Sequence, residues 1–303
     1  MARVALAALA RGKQALDELY RRSNTMSQPA LIVDGMSVFH SVAGPAAHLR
    51  NGYPYSFLIQ VTSAVKKFKP KGIFVCWEGG FSKRLEIYPE YKAQRTSNSE
   101  GVKQYREVVK DLMTHLGVDQ LHAPGYEADD VGALLANNLE NAILFSNDKD
   151  WLQLVRPGVS LYQRARRQGK KQEKMLITTD NFAEISGWST PQEYLKAHIA
   201  MGDEVDGIPG VGGVGHATIH AYLTGVKIAP RLQTKLDEFY NGSLEYFRNK
   251  ALIDLTSIRE LPIQTVPGKY DERSVLNLLE ELTFASITKQ FHTWVLNYKD
   301  ALL

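Results

Sequence analysis

The 303-residue chain carries 36 lysines and arginines against 33 aspartates and glutamates, a net charge of +3, so the placement of charge rather than its total must decide what the chain binds. One cysteine excludes an internal disulfide framework and a cysteine-built metal centre, and leaves oxygen as the expected metal-binding element in a reducing cytoplasm. No run approaches the roughly 20 apolar residues that a membrane helix needs.

In chain order, Leu6, Leu9, Leu16, Leu19 and Tyr20 recur on one helical face. This predicts a docking helix before a linker at 23–29, against the transit-peptide reading that few acids would also allow. Ala30–Asp34 is a short apolar run suited to a buried parallel strand, and Gly72–Trp77 and Ala142–Phe145 repeat the pattern. Helical periods near Phe57–Phe68, Val102–Leu116 and Glu127–Leu139 separate them, so the fold class is α/β with a mainly parallel central sheet flanked by helices. Ligands of such sheets bind beyond the carboxyl ends of the strands, and each strand here ends near an acid: Asp34, Glu78 and Asp148. Past Ser160 the composition changes, first to a basic run and then to a helical region with a glycine-rich turn. The expected division is an N-terminal helical arm and linker at 1–29, an α/β domain at 30–180 and a helical subdomain at 181–303.

Carboxylates carry the chemistry. Glu127, Asp129 and Asp130 open a helix, where capping accounts for one or two acids but not three. Asp148 and Asp150 follow a buried strand two residues apart, and Asp203 and Asp206 precede the glycine turn. Gathered together with Asp34, so many like charges repel by several kcal/mol unless cations neutralise them. Oxygen ligands imply Mg²⁺, with Mn²⁺ as a substitute, and two such ions suit phosphodiester hydrolysis.

Cations supply the complement. Lys83, Arg84, Lys92 and Arg95 interleave with tyrosines and are placed to grip phosphate, while Tyr91 is placed to stack an unpaired base; the bland alternative is a solvated helix face. Gly210, Gly212, Gly213, Val214 and Gly215, followed by His216 and Thr218, form a turn whose small residues let backbone amides approach phosphate. Arg164, Arg166, Arg167, Lys170, Lys171 and Lys174, with Glu173 the one acid among them, read as a hairpin by themselves and as a duplex contact in this company.

The order of these motifs resembles the 5′ nuclease superfamily: flap endonucleases, bacteriophage 5′-3′ exonucleases and the 5′ nuclease domain of DNA polymerase I. Ile-Val-Asp34-Gly, Tyr88-Pro-Glu-Tyr91-Lys92-Ala-Gln-Arg95, Gly125-Tyr-Glu127-Ala-Asp129-Asp130, Ser-Asn-Asp148-Lys-Asp150 and Gly202-Asp203-Glu-Val-Asp206-Gly-Ile-Pro-Gly carry it, over roughly Ala30 to Leu223. The resemblance implies a PIN-like or resolvase-like sheet, a helical arch at 84–110 admitting a 5′ single strand, and a helix-hairpin-helix-type turn at 207–223 that often holds K⁺. It implies one ion held by Asp34, Glu127 and Asp129 or Asp130, and a second among Asp148, Asp150, Asp203 and Asp206. Lys92 and Arg95 would act on the scissile phosphate. DNA with 5′ ends, flaps or nicks is the implied substrate, and the RNA of RNA-DNA hybrids a further one, for a free-standing monomer in a bacterial or phage-infected cytoplasm. Two positions depart from the pattern. Glu78 stands where the family usually has Asp, and His216 follows the glycine turn where a lysine is common, which leaves one phosphate contact either missing or moved to His216.

Three other readings compete. A non-catalytic DNA-binding relative would have eroded acids, a PIN-type ribonuclease normally lacks the arch and glycine turn, and a small-molecule phosphatase would have no use for either.

Overall fold

Side chains of β1 (Ala30–Asp34) alternate between two cores: Ala30 and Ile32 face one, Leu31 and Val33 the other, and all are buried. A strand apolar on both faces belongs in the middle of a covered sheet. In the computed structural model, which describes residues 14, 16–21, 28–41, 50–94, 100–164 and 174–302, β1 pairs in parallel with β2 (Ile73–Cys76) and β4 (Ala142–Phe145). The sheet has seven strands in the order β6-β5-β4-β1-β2-β3-β9, with β3 at Asp119–His122, β5 at Val159–Arg164, β6 at Lys174–Ile177 and β9 at Gln264–Val266. The inner five strands are parallel and the two edges antiparallel.

Helices cover both faces. One core takes Leu16 and Leu19 from α1 (16–21), Leu134 from α6 (Ala128–Asn138), Ala197 from α8 (Pro191–Met201), Ile219 from α9 (His216–Leu223) and Leu252 from α11 (Leu244–Ile253). The other takes Phe57 from α3 (Gly52–Phe68), Leu112 from α5 (Glu100–His115), Val275 from α12 (Glu272–Glu281) and Tyr298 from α14 (Phe291–Leu302). No helix among the described residues is long and apolar enough to cross a membrane.

Four strands of the sheet lie outside the three apolar runs. Asp-Gln-Leu-His of β3 is too polar to stand out and is held as a strand by its pairing with β2. The strand β5 runs straight into the basic segment, and β6 returns from it, so both belong to the main sheet rather than to a new module. From the far end of the sequence, β9 pairs with β3, ahead of α12 and α14 on the second face. Residues 84–110, expected as an arch, comprise most of α4 (Ser82–Ile87), a turn reaching residue 94 and the first part of α5. Leu6, Leu9, Arg95, Arg166, Arg167, Lys170 and Lys171 lie outside the described residues.

Candidate active site

From β1 the chain proceeds through β2 to β3 on one side, then returns to β4 and β5 on the other. The gap between the carboxyl ends of β1 and β4 is therefore a topological switch point, where open α/β sheets bind ligands. A cavity of about 340 Å³ opens there, and its lining includes Asp34, Glu78, Glu127, Asp129, Asp148, Asp150, Asp203 and Asp206. Of the nine acids named as metal ligands, Asp130 alone does not line it.

Each carboxylate is fixed by the start of a local element. Asp34 caps α2 (Gly35–His40) by accepting from the Ser37 amide at 2.9 Å, and its other oxygen accepts from the Ser146 hydroxyl at 2.6 Å. Asp148 caps a 3-10 turn over Lys149–Leu154 by accepting from the Asp150 amide. At α6, Glu127 and Asp130 form a reciprocal capping box, and the Asp130 carboxylate accepts from the Glu127 amide at 2.8 Å. Asp129 accepts from the Trp151 indole at 2.7 Å. Asp203 sits in the short hairpin of β7 (Gly202–Asp203) and β8 (Ile208–Pro209), where it accepts from the Val205 and Asp206 amides.

The cations meet the acids inside the cleft. Arg84 pairs with Glu127 and, at 2.9 Å, with Asp130, while Lys92 pairs with Glu127 and lies 3.7 Å from Asp206. Asp130 thus serves as the cap of α6 and the counterion of Arg84, behind the cleft wall. Tyr91 is 3 % exposed, with Phe81 at its edge and Arg84 and Lys92 over its ring, so the face expected to stack a base is covered. Its hydroxyl instead donates to Glu127 at 2.7 Å and to Asp206 at 3.1 Å, spacing two carboxylates. Lys83 is exposed and pairs with Glu86.

Burial dominates the electrostatics. It pushes Asp34 up to about 7, against the opposing hydrogen bonds of Ser146 and Ser37, and it holds Asp129 well above the usual carboxylate range with Asp34 and Asp148 adding to the effect. Asp150 is raised to about 6 by burial and by Asp148, whereas His198 first and then Lys149 hold Asp203 below the usual range. The folded protein keeps protons on Asp34 and Asp150 at pH values where the unfolded chain, at 3.8, has released them. In chelator, stability is therefore expected to fall as pH climbs from about 4 to about 7, and divalent cations should reverse the trend by displacing those protons. Asp203 acts in the opposite sense, but only below 3.8. Thermal melts across that window check this; a metal-free midpoint that rises with pH would contradict it.

The glycine turn divides in two. A side chain on Gly202 or Gly210 would strike backbone, 2.3 Å from the Ile208 carbonyl and 2.0 Å from the Met201 carbonyl, so those glycines close the hairpin onto α8. A side chain on Gly213 or Gly215 would meet nothing within 4 Å beyond its chain neighbours. Lys235 donates to the Gly212 carbonyl at 2.7 Å, and Val214 packs against the core. Gly215 is the N-cap of α9, with Thr218 in its first turn, and His216 there leans on Trp188 with ring centres 4.5 Å apart. The side chain of Arg164, at the end of β5, lies outside the described residues.

Sequence reasoning missed His198, Lys149 and Trp151. Lys149 lies 3.1 Å from Asp203, and His198 stands between Asp150 and Asp203. The signal for His198 was faint, a single histidine among the apolar residues of α8.

The model of the 5′-3′ exonuclease N-terminal resolvase-like domain matches residues 29–187. A 5′-3′ exonuclease of Aquifex aeolicus is 32% identical over 199 residues, 62% of this chain and 66% of that protein. DNA polymerase I of Mycobacterium tuberculosis is 31% identical over 219 residues, 66% of this chain but 24% of the polymerase, so the chain spans less than two thirds of either relative. Among solved structures, the bacteriophage T5 D15 protein co-crystallized with metal ions has a TM-score of 0.61 at 18% identity, over 89% of this chain and 99% of that one, a likeness of fold. Since the matched domain takes in more than half of the sequence, the chain belongs to the 5′-3′ exonuclease family.

Proposed function

We propose that the chain is a structure-specific 5′ nuclease that hydrolyses phosphodiesters near the 5′ ends of flapped or nicked DNA, using divalent cations. The observation that carries this reading is the convergence of eight carboxylates on one cavity at the sheet's switch point, against the two cations Arg84 and Lys92 in the same wall. Desolvated carboxylates in such excess suit hard divalent ions, Mg²⁺ first and Mn²⁺ as a substitute. Asp34, Glu78, Glu127 and Asp129 are the residues that would hold one ion, and Asp148, Asp150, Asp203 and Asp206 those that would hold a second. Bound there, divalent ions supply an activated water and charge neutralisation at the phosphate.

The remaining roles fall to the chain itself. Tyr91 keeps Glu127 and Asp206 apart at fixed distance, and Arg84 anchors Glu127 from behind. Lys92 can exchange its carboxylate partner for a phosphate oxygen and stabilise the charge that develops there. The open surface at Gly213 and Gly215, at the amino end of α9, offers backbone amides to a duplex strand, with a K⁺ ion at the turn as part of that reading. The likeness of fold to T5 D15, itself described as a flap endonuclease in complex with DNA and metal ions, supports the substrate class.

Cleavage of a nicked, 5′-flapped duplex labelled at each end tests the proposal, with chelator as control. Release of short 5′-labelled products only with metal is the expected result; DNA bound yet never cut under Mg²⁺ or Mn²⁺ would replace the enzyme by a binding module. Lys92→Ala is expected to slow single-turnover cleavage by about 3 kcal/mol, roughly a hundredfold. An unchanged rate would reduce Lys92 to a counterion of Glu127.

A further inference from the structure

The side of the cleft that carries Asp150 and Asp203 also carries an imidazole. His198, on α8, is 3 % exposed, and neither of its ring nitrogens has a hydrogen-bond partner. Nδ1 lies 3.7 Å from Asp150 Oδ1, and Nε2 lies 3.6 Å from Asp203 Oδ2. The Asp150 oxygen is likewise buried without a hydrogen bond. Among the described residues, one ligand atom from each of these three side chains lies within 4.8 Å of the other two.

Leaving buried polar atoms unpaired is costly, and native interiors rarely tolerate it without a reason. The separations here are too long for hydrogen bonds. Each approaches the spacing of two atoms bound to one cation, roughly 3 to 3.5 Å apart for bonds of about 2.1 Å; an imidazole binds a cation through one nitrogen, so one carboxylate stands at that spacing and the other is drawn in from within 4.8 Å. Without metal, an imidazolium here ion-pairs with both carboxylates; with a cation between the acids, the neutral ring offers it one nitrogen instead. Lys149, 3.1 Å from Asp203 Oδ2, competes for that oxygen, but its side chain is more than half exposed and free to swing into solvent.

The geometry points to His198 as a nitrogen ligand of the cation held by Asp150 and Asp203, making this position a mixed nitrogen and oxygen site that favours a transition cation such as Mn²⁺ over Mg²⁺. Imidazole suits first-row transition cations, whereas Mg²⁺ selects oxygen. The inference rests on the proposed function only in taking Asp150 and Asp203 as cation ligands. It amends the expectation that oxygen alone binds metal here.

Electron spin echo spectroscopy of the full chain with Mn²⁺ alone is the test, comparing protein grown with ¹⁴N and with ¹⁵N histidine. Nitrogen modulation that changes with the label is expected in the wild type, lost in His198→Asn and kept in His40→Asn, since His40 also lines the cleft. His198→Asn should weaken Mn²⁺ binding by roughly tenfold or more, and Mg²⁺ binding by less than about threefold. Mn²⁺ bound without nitrogen modulation in the wild type would overturn the ligand role and leave the carboxylate site standing. No binding of either cation would overturn both. Should His198→Asn fail to fold, the isotope comparison in the wild type still decides.

Discussion

Asp148→Asn is expected to lower the single-turnover rate on a flapped duplex by about 4 kcal/mol, roughly a thousandfold, while leaving DNA affinity within a few-fold. The substitution isolates charge from structure. Asp148 Oδ1 caps the 3-10 turn by accepting from the Asp150 amide at 2.9 Å, and an asparagine oxygen can keep that bond. What it removes is one negative charge from the side of the cleft shared by Asp150 and Asp203. The cationic and backbone groups proposed to hold DNA are untouched. Quenched-flow cleavage alongside a binding titration in chelator separates the two effects, and a variant that cuts at the wild-type rate would remove Asp148 from the reacting centre.

The second large effect concerns stability. Arg84→Met is expected to cost the metal-free protein about 3 to 5 kcal/mol, because it strips a buried guanidinium from two buried carboxylates, Glu127 and Asp130. Methionine fills much of the volume, so the loss comes from uncompensated charge rather than from a cavity. Urea unfolding in chelator measures it. A loss under about 1 kcal/mol would mean that Lys92 and solvent neutralise Glu127 without help. Added Mg²⁺ should return part of the loss, by binding the folded state alone.

Strand-end acids were the most legible part of the site. Asp34 and Asp148 follow short apolar runs, and parallel-sheet geometry alone brings the ends of β1 and β4 together. Glu127 and Asp129 were legible as an excess over what a helix start needs, and the structure divides the labour: Asp130 completes the capping box while Glu127 and Asp129 face the cleft. Direction was not legible. Arg84 and Lys92 read as a grip on phosphate and Tyr91 as a ring to stack a base, yet all three turn toward the carboxylates, because buried acids attract the nearest cations and hydroxyls when other neutralising charge is distant. His198 was invisible for a different reason. Its meaning depends on α8 packing against the Lys149–Leu154 turn, a contact between segments with no shared periodicity. Likewise β9, three residues between prolines, acquires strand character only from its partner β3.

That last pairing bears on how the chain assembles. Gln120 sits opposite Val266, so the outer edge of the sheet waits for a segment more than a hundred residues downstream, and the face bearing Phe57 and Leu112 waits for Val275, Trp294 and Tyr298. Residues 29–187 hold most of the cleft but, during synthesis, would stand with the edge of β3 unpaired and one side of the sheet covered by α3 and α5 without α12 and α14. Contacts so distant in sequence close slowly, and an unpaired edge invites strand addition by another chain. The half of the molecule that holds most of the acidic cleft thus depends for the closure of its sheet on β9, α12 and α14, segments far downstream of it.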